Sequence, residues 1–343
     1  MGRASRYFLD EKFSSYHMIS RTTGNGYLIG DKDKEYFVNL MFKLGRAYYV
    51  DIKSYVVMSN HFHILLSSRI DEVLGASEKE LVNRYKSGFG GNAQYPEGGY
   101  LGDSYEIDYD EDGGIERLRR RLGSASRFMQ DLKQRFTKWY NNEHNRKGVL
   151  WGNRFKGVAI SKGDAELICS AYIDLNSIRA GLVEKPEDYR WSSIGLKVRK
   201  SSKAAKLLKE IKIEERKDTY DLNYKVKPED IVDVTLIGDE QMAVITFPLY
   251  RAFVYNLGNL EKDGTARISD EVYHKSRGLC FQFNLGDSLR YRFRNITEGI
   301  GFGTEKFIGQ LQEQLGRKFI KPREVTDSKN GIKLFSTRKL KSI

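Results

Sequence analysis

Two histidines lie one residue apart in the apolar stretch SYVVMSNHFHILLSS, which runs from Ser54 to Ser68. Residues i and i+2 of a β-strand point to the same face of the sheet, so we expect His61 and His63 to project together. Neutral imidazole is the commonest side-chain ligand of divalent metals, and such a pair can take two adjacent coordination positions. The alternative is a pair of hydrogen-bonded core histidines. Burying two unpaired imidazoles is costly, and this cost favours a metal-binding or catalytic role.

A third chemical group must come from elsewhere in the chain. The segment AYIDLNSIRAGLV carries Tyr172 and Asn176 one helical turn apart, and residues so spaced share a helix face. An Asn side chain offers a carbonyl oxygen to a hard cation. A deprotonated Tyr is a nucleophile able to form a covalent intermediate. Most helical tyrosines only pack against their neighbours, and the chain has 21 tyrosines, so spacing alone does not select Tyr172.

The elements that must position these groups follow from hydrophobic periodicity. Residues 14–68 read as strand, helix, strand, beginning with the β-like SYHMISRTT. DKDKEYFVNLMFKLGRAYY has apolar residues at helical spacing, with Asp31 or Asp33 as its cap. DIKSYVVMSNHFHILLSS is apolar on both faces and is predicted to be one long central strand.

The segments that follow predict an insert and three further elements. Residues 69–124 read as an insert with a Gly-rich and acidic loop. ASRFMQDLKQRFTKWYNN, residues 125–142, is a strongly amphipathic helix, and GVLWGNRFKGVAIS is a turn and a strand. GDAELICSAYIDLNSIRAGLV is predicted to be a single helix, capped by Asp164 and stopped by Gly181.

A lysine-rich segment near residue 200, KVRKSSKAAKLLKEIKIEERK, indicates a boundary. We therefore predict a first domain over residues 1–198 and an accessory region over 199–343, with a DNA-binding or scaffold role. In that region VDVTLIG and MAVITFPLY read as strands. Three segments read as short capped helices: SDEVYHKSRGL, DSLRYRFRNITEGI and GTEKFIGQLQEQLG.

The charge of the chain indicates a polyanionic partner. Its 58 Lys and Arg against 46 Asp and Glu give a net charge of +12, and 21 Tyr and 18 Phe accompany them. Cations together with aromatic rings suit single-stranded nucleic acid, although many basic proteins bind nothing specific. Two cysteines make neither a disulfide framework nor a zinc site. No apolar run is long enough for a membrane span, and no secretory signal is recognised, so the expected location is the cytoplasm.

Three segments together resemble one family in order and spacing. They are VVMSNHFHILL, SRFMQDLKQRFTKWYNNEHNRKGVLWGNRFKGVAI and AYIDLNSIRAGLVEKPEDYRWSS. The family is the REP-associated tyrosine transposases, single-tyrosine members of the HUH group, in which HUH denotes His, hydrophobic, His. The resemblance runs from about residue 14 to 195. Beyond residue 200, only RYRFRNITEGIGFGTEKFIGQL is similar to the extension of longer members.

This resemblance implies a fold and a site. The implied fold is an α+β, ferredoxin-like HUH nuclease domain with a central antiparallel sheet flanked by helices, followed by a mainly helical C-terminal extension. The implied metal ligands are His61, His63 and Asn176, and the implied nucleophile is Tyr172. Two positions depart from the family pattern, Ser59 and Ser177, each where the family usually has Pro. Neither departure removes a ligand or the nucleophile.

The activity implied by the resemblance is a metal-dependent cut in single-stranded DNA beside a hairpin repeat. Mg²⁺ or Mn²⁺ would assist attack by Tyr172 and give a 5′-phosphotyrosine and a free 3′-OH. Lys162 or Arg179 could assist electrostatically. The partner would be single-stranded DNA with a REP-like hairpin, without a membrane, and the protein would be a monomer or homodimer. Basic and aromatic side chains are the candidate DNA contacts: Arg135, Lys138, Trp151, Arg154, Lys156 and Arg179.

Three other functions remain open from the sequence. A replication initiator or relaxase would use the same covalent chemistry at an origin. A domesticated protein would bind hairpins without cutting them. A metal phosphodiesterase would attack with activated water and would not need Tyr172.

Overall fold

The N-terminal part of the chain is built around four antiparallel strands. The computed structural model describes residues 14–24, 26–89, 112–199, 212–214, 242–244, 247–259, 266–275, 294–315, 322–325 and 334–337. The first elements are β1 (Ser14–Arg21), α1 (Asp31–Ala47), β2 (Val50–Val57), β3 (His61–Ser68), α2 (Ile70–Gly75), α3 (Glu78–Phe89), α4 (Gly114–Leu122), α5 (Ala125–Glu143) and β4 (Lys156–Ser161). These strands lie in the order β2-β3-β1-β4, with each antiparallel to its neighbours. This is the ferredoxin-like order, and the predicted α+β fold with a central antiparallel sheet is confirmed.

The histidine strand is the second arm of a β-hairpin. The prediction of one long strand over residues 51–68 is therefore wrong, because β2 ends at Val57 and β3 begins at His61. Ser59 and Asn60 form the tight turn, closed by a 2.8 Å bond from the Met58 N–H to the His61 carbonyl. Ser and Asn favour turns because their side chains bond to nearby backbone. The prediction that His61 and His63 point to the same face of the sheet is unaffected, since both lie in β3.

One face of the sheet is covered by α1 and α5. The Asp33 carboxylate accepts a 2.8 Å bond from the Gly30 N–H at the start of α1, so Asp33 caps the helix from inside its first turn. The Ser124 side chain caps α5 by accepting from the Arg127 N–H. The apolar stripe predicted for α5 is confirmed, because it packs into the core with residues of α1, β1 and β3: Phe128, Met129, Leu132, Phe136 and the partly buried Trp139.

The opposite face of the sheet is covered by α6 (Asp164–Asp174), with α7 (Asn176–Arg179), a 3₁₀ turn (Pro186–Asp188) and α8 (Ser193–Val198) following it. The predicted single helix is interrupted at Leu175, and Gly163 rather than Asp164 is the N-cap of α6. The predicted stop at Gly181 is confirmed. Its φ is 65°, its N–H bonds to the Ile178 carbonyl, and the Leu182 N–H bonds to the Ser177 carbonyl. This pair of bonds is a Schellman motif, which a left-handed glycine favours.

A buried ion pair fixes α6 against the sheet. The register of β2 shifts between Ile52 and Ser54, so Lys53 is the extra residue of a β-bulge. Its ammonium lies 2.9 Å from the Glu166 carboxylate of α6, which also accepts from the Ser15 hydroxyl of β1. Removing one partner of such a pair is strongly destabilising. The helix that carries Tyr172 is thereby tied to two strands.

The C-terminal region continues the same sheet. Its elements are β5 (Lys212–Glu214), β6 (Met242–Val244), α9 (Phe247–Asn259), α10 (Asp270–Lys275), α11 (Arg294–Glu298), β7 (Gly301–Gly303), α12 (Glu305–Gln314), β8 (Arg323–Glu324) and β9 (Phe335–Ser336). β7 pairs in parallel with β4, and β9 and β8 follow, so the sheet has seven strands within the described ranges. Among the described helices, none is long and apolar enough to cross a membrane.

The short helices predicted in this region are confirmed as α10, α11 and α12, the last capped by Thr304. The strand predicted for MAVITFPLY is correct only at its start, because α9 begins at Phe247. Pro248 fits there, since a proline is tolerated in the first helical turn. The predicted strand VDVTLIG and the Gly-rich loop over residues 90–111 lie outside the described residues.

Both parts of the chain contribute to one core beneath α6. Phe253 of α9 and Phe302 of β7 pack in the cluster that contains Ile168 and Leu65. Within it, the Asp174 carboxylate accepts from the Ser193 hydroxyl at 2.6 Å and from the Tyr250 hydroxyl at 2.5 Å. Asp174, which lies between the predicted nucleophile Tyr172 and the predicted ligand Asn176, is thus held by α8 and α9.

Candidate active site

Three histidines project from two neighbouring strands toward α6. Register pairs Ile19 of β1 with His63 of β3, and Arg21 with His61. His17 is therefore on the same face as both, diagonal to His63. Its ring centroid lies 5.0 Å from that of His63, and the His61 and His63 centroids are 5.2 Å apart. The two predicted histidines are brought together, with a third imidazole beside them.

Hydrogen bonds define which nitrogen of His63 is available. His17 Nδ1 lies 3.0 Å from the Ile296 carbonyl oxygen, which can only accept, so Nδ1 of His17 carries the hydrogen. In the neutral ring, Nε2 of His17 is then an acceptor. It lies 2.9 Å from His63 Nδ1, which must therefore donate. The remaining nitrogen of His63, Nε2, carries a lone pair.

The turn that precedes β3 orients the other histidine. His61 Nδ1 lies 2.5 Å from the Asn60 side-chain oxygen. Because that oxygen accepts, Nδ1 of His61 is the donor and Nε2 again carries the lone pair. Metal-binding imidazoles have this arrangement, with the outer N–H held by a neighbouring acceptor.

Tyr172 is the one residue of α6 that is not buried. Its ring centroid lies 5.7 Å from that of His63 and 5.9 Å from that of His17, with edge-to-face packing in both cases. The Arg179 guanidinium lies 4.7 Å from the Tyr172 ring centroid and donates a 2.9 Å bond to the Tyr172 carbonyl. The predicted nucleophile thus faces the imidazoles, with a cation over its ring.

The amide of Asn176, the first residue of α7, is turned back toward the end of α6. Its Nδ2 donates to the Tyr172 carbonyl at 2.9 Å and to the Ile173 carbonyl at 3.2 Å. With both amide hydrogens directed at carbonyls, the side-chain oxygen of Asn176 is the atom left to accept a further partner. This is the atom that a hard cation requires.

The site holds its imidazoles neutral. Burial lowers the pKa of His61 to about 4, and the Arg21 charge acts in the same direction. Burial lowers the pKa of His63 well below 6.5, helped by the other histidines, Arg179 and Arg21. Burial also lowers the pKa of His17 to about 4, against the opposing effect of the Ile296 carbonyl. Neutral imidazole is the metal-binding form, and the cations around it suit an anion.

These residues fit a divalent cation. Nε2 of His61 and of His63 carry lone pairs on one face of the sheet, and the Asn176 oxygen is the predicted donor from α7. Within the described ranges, no three His, Cys, Asp or Glu side chains form a metal-holding group. The predicted third ligand, the amide oxygen of Asn176, is of another type. The nearby His17 does not serve, because its Nε2 is directed at His63.

An open groove of about 870 Å³ runs between α5 and the loop before β4. Its sixteen described lining residues include no carboxylate and five cations: Lys133, Lys138, Arg146, Lys147 and Arg154. The loop is joined to the end of β1 by a bridge between Thr22 and Trp151. The groove and the imidazoles therefore lie at the same end of the sheet.

The predicted DNA contacts are distributed over several surfaces. Lys138, Trp151 and Arg154 line the groove. Trp151 is half-buried and packs on Phe62 and other core rings. The remaining three are elsewhere, since the Arg135 guanidinium packs 4.6 Å from the Phe89 ring, Lys156 is exposed at the start of β4, and Arg179 lies on Tyr172.

Sequence analysis missed His17, Arg21 and the groove residues Arg146 and Lys147. His17 is one of only five histidines and lies in the first predicted strand, SYHMISRTT. The histidine in that strand could have indicated a third imidazole of the site only if the pairing of β1 with β3 were known. Lys162, predicted as an electrostatic aid, is exposed in the turn before α6.

No family model matches the sequence, and no curated protein matches it. Among solved structures, the chain is similar to one described as a REP-associated tyrosine transposase bound to a REP hairpin. The two are 16% identical, and the match covers 58% of this chain and 86% of that one, with a TM-score of 0.34. Similarity at that level carries no argument about function, which depends here on the geometry of the site.

Proposed function

We propose that this protein is a metal-dependent endonuclease and strand transferase that cuts single-stranded DNA beside hairpin repeats. The observation that carries the proposal is the position of Tyr172. It is the one partly exposed side chain of an otherwise buried helix, and its ring lies 5.7 Å from that of His63. A helix that buries its other side chains while it presents a phenol to paired neutral imidazoles suits nucleophilic attack on a bound phosphate.

In the proposed reaction, the Tyr172 phenolate attacks the scissile phosphorus in line with the leaving 3′-oxygen. A bond forms between the phenolic oxygen and phosphorus, and the bond from phosphorus to the 3′-oxygen breaks. The products are a 5′-phosphotyrosine and a 3′-OH, which takes up a proton. A 3′-OH of another strand can reverse the step, since the phosphotyrosine preserves an ester of similar energy.

A divalent cation, Mg²⁺ or Mn²⁺, would be held by His61, His63 and Asn176. When bound, it would supply positive charge to the non-bridging oxygens of the phosphate. The protein's own contribution is orientation. Nδ1 of each histidine is held by an acceptor, so the lone pair of each ring is on Nε2.

Two arginines complete the electrostatics of the proposed centre. The Arg179 guanidinium, 4.7 Å from the Tyr172 ring centroid, would place positive charge beside the phenol and limit rotation of its ring. Arg21 is exposed and lies opposite His61 in the strand register. A cation so placed would attract the DNA backbone toward the imidazoles.

The groove along α5 is the proposed binding site for the DNA that flanks the cut. Its five cations suit phosphates, and its amide side chains suit base edges or sugars. Lys133 lies at the base of the groove, where its side chain is buried and its ammonium donates to the Asn153 carbonyl at 3.0 Å. The exposed Lys147 and Arg154 are therefore the cations best placed to reach DNA.

The decisive experiment follows the protein–DNA adduct. Single-stranded hairpin DNA from repeats flanking the gene, labelled at the 3′ end, is incubated with Mn²⁺ or with EDTA, and denaturing gels are scored. We expect an adduct with the unaltered protein and Mn²⁺, none with EDTA and none with Tyr172→Phe. Tyr27→Phe is the control, since Tyr27 is 81% exposed and lies outside α6 and the histidine strands.

The same gels, with native gels of the same mixtures to score non-covalent binding, distinguish the competing functions. Cleavage that persists in Tyr172→Phe would reject the phosphotyrosine and indicate a water-using phosphodiesterase. Hairpin binding without any cleavage by the unaltered protein would indicate a non-cutting binder. Adduct formation on unstructured strands, with no dependence on a hairpin, would favour an initiator-like enzyme.

A further inference from the structure

We propose that His17 is a positioning residue that fixes the tautomer and the ring orientation of His63, and that its own anchor is the backbone of α11. This role rests on the proposed function, because it concerns the metal ligand of that site. The residues involved come from three distant parts of the chain: β1, β3 and the C-terminal region.

The chain of hydrogen bonds has a single direction. A carbonyl oxygen cannot donate, so the 3.0 Å contact with Ile296 requires a hydrogen on His17 Nδ1. The neutral His17 ring then accepts at Nε2, and the 2.9 Å contact requires a hydrogen on His63 Nδ1. One acceptor on α11 thus determines that His63 presents its lone pair at Nε2.

The anchor is available because of where it lies in its helix. The last four carbonyl groups of an α-helix have no partner within the helix. Ile296 belongs to α11, which runs only from Arg294 to Glu298, so its carbonyl is such a group. His17 satisfies this carbonyl and is itself fully buried. An apolar residue at position 17 would leave both that carbonyl and the His63 N–H unpaired.

The hydrogen bond that His63 Nδ1 donates to His17 would affect a metal bound at His63 Nε2. An imidazole whose outer N–H is held by an acceptor is oriented and made a stronger donor, and loss of that partner costs about 10–100-fold in metal affinity. His61 has its own acceptor in Asn60. His17 therefore does for His63 what the turn residue does for His61.

Two substitutions separate the two hydrogen bonds of His17. The amide nitrogen of Asn is as many bonds from Cα as His Nδ1, so His17→Asn can retain the bond to Ile296 but does not reach His63. The amide of Gln is as many bonds from Cα as His Nε2. His17→Gln can therefore accept from His63 while it loses the bond to Ile296.

The first test uses the unaltered protein without metal or DNA, so no substitution can unfold it. In the metal-free protein with ¹⁵N-labelled histidine, NMR distinguishes protonated from unprotonated ring nitrogens, and only five histidines must be assigned. We expect hydrogen on Nδ1 and none on Nε2 for both His17 and His63. Hydrogen on Nε2 of His63 would overturn the proposal.

The second test measures Mn²⁺ binding to the full chain by electron paramagnetic resonance. We expect His17→Asn to bind about 10–100-fold more weakly and His17→Gln to remain close to the unaltered protein. His144→Gln is the control, since His144 bonds to Asp33 on the α1 side of the sheet. Equal affinities for His17→Asn and the unaltered protein would overturn the proposal.

The two proposals fail in different ways. If Mn²⁺ binds and the tautomers are as expected but no Tyr172 adduct forms, strand transfer is rejected and the role of His17 stands. If the adduct forms and depends on Mn²⁺ while His63 carries hydrogen on Nε2, the role of His17 is rejected and the proposed function stands.

Discussion

Ser177 has a buried hydroxyl, one residue beyond the proposed ligand Asn176, and no hydrogen-bond partner is described for it. A buried polar group without a partner costs about 1–3 kcal/mol. We expect Ser177→Ala to raise the free energy of unfolding by about 1 kcal/mol. Urea denaturation of the full chain measures the change.

The matched comparison is Ser193→Ala. The Ser193 hydroxyl donates to the Asp174 carboxylate, contacts the Ser54 hydroxyl at 2.9 Å and accepts from the Tyr55 N–H at 3.1 Å. Its removal should lower the free energy of unfolding by about 2 kcal/mol or more, because buried partners are left unpaired. Equal effects of the two substitutions would contradict the described networks.

Individual residues of the candidate site differ in how far the sequence could predict them. The pairing of His61 with His63 follows from strand periodicity, and that of Tyr172 with Asn176 from helix periodicity, because both are local. His17 reaches His63 across 46 residues and bonds to a main-chain carbonyl, which no side-chain pattern records. Local spacing therefore yields candidate ligands and misses what orients them.

At the scale of elements, the contact between β7 and α12 is the sharpest test of how the C-terminal region is joined to the sheet. A Cβ at Gly301 would lie 2.2 Å from a Leu311 side-chain carbon and 3.4 Å from one of Ile308. We expect Gly301→Ala to lower the free energy of unfolding by about 1–3 kcal/mol, because the packed core cannot expand freely. Thermal or urea unfolding measures the loss.

Gly309, which lies in α12, is the matched control for Gly301. A Cβ there has no heavy atom within 4 Å. Since Ala is favoured over Gly inside a helix by about 0.5–1 kcal/mol, we expect Gly309→Ala to stabilise the protein slightly. Destabilisation by Gly309→Ala, or tolerance of Gly301→Ala, would show that α12 does not pack on β7 as described.

Elements with a strong period were predicted well, and those set by turns were not. The helix α5 follows from its apolar stripe, and the end of α7 follows from Gly181. The hydrophobic pattern predicts one strand where the hairpin around Ser59 and Asn60 lies, because apolar residues flank the turn on both sides and the pattern continues across it. Periodicity identifies the faces of strands but does not show where a chain reverses.

At the scale of the whole molecule, the charge of the groove predicts how DNA binding depends on salt. Each phosphate contact that is lost should weaken hairpin binding across sequences and reduce the slope of log affinity against log salt by about one. We expect this for Lys147→Gln and for Arg154→Gln, measured by fluorescence anisotropy over a salt series. Lys79→Gln on α3 is the control, and an equal change in slope for it would argue against the groove.

The shared core makes a prediction about the boundary near residue 200. Phe253, Phe302 and Ile296 from the C-terminal region pack in the same cluster as Ile168 of α6. Without them, α6 would expose apolar surface. We expect residues 1–198 expressed alone to lose near-ultraviolet circular dichroism and to bind a hydrophobic dye. A cooperative unfolding transition in that fragment would instead support an independent first domain.

The bond between His17 and the Ile296 carbonyl joins residues 279 positions apart. During synthesis, N-terminal segments emerge and begin to fold first, and contacts of such long separation form late. The imidazoles of β1 and β3 therefore leave the ribosome long before their anchor does. Nascent chains, and chains that terminate before α11, therefore carry the candidate ligands without the carbonyl group to which His17 is bonded.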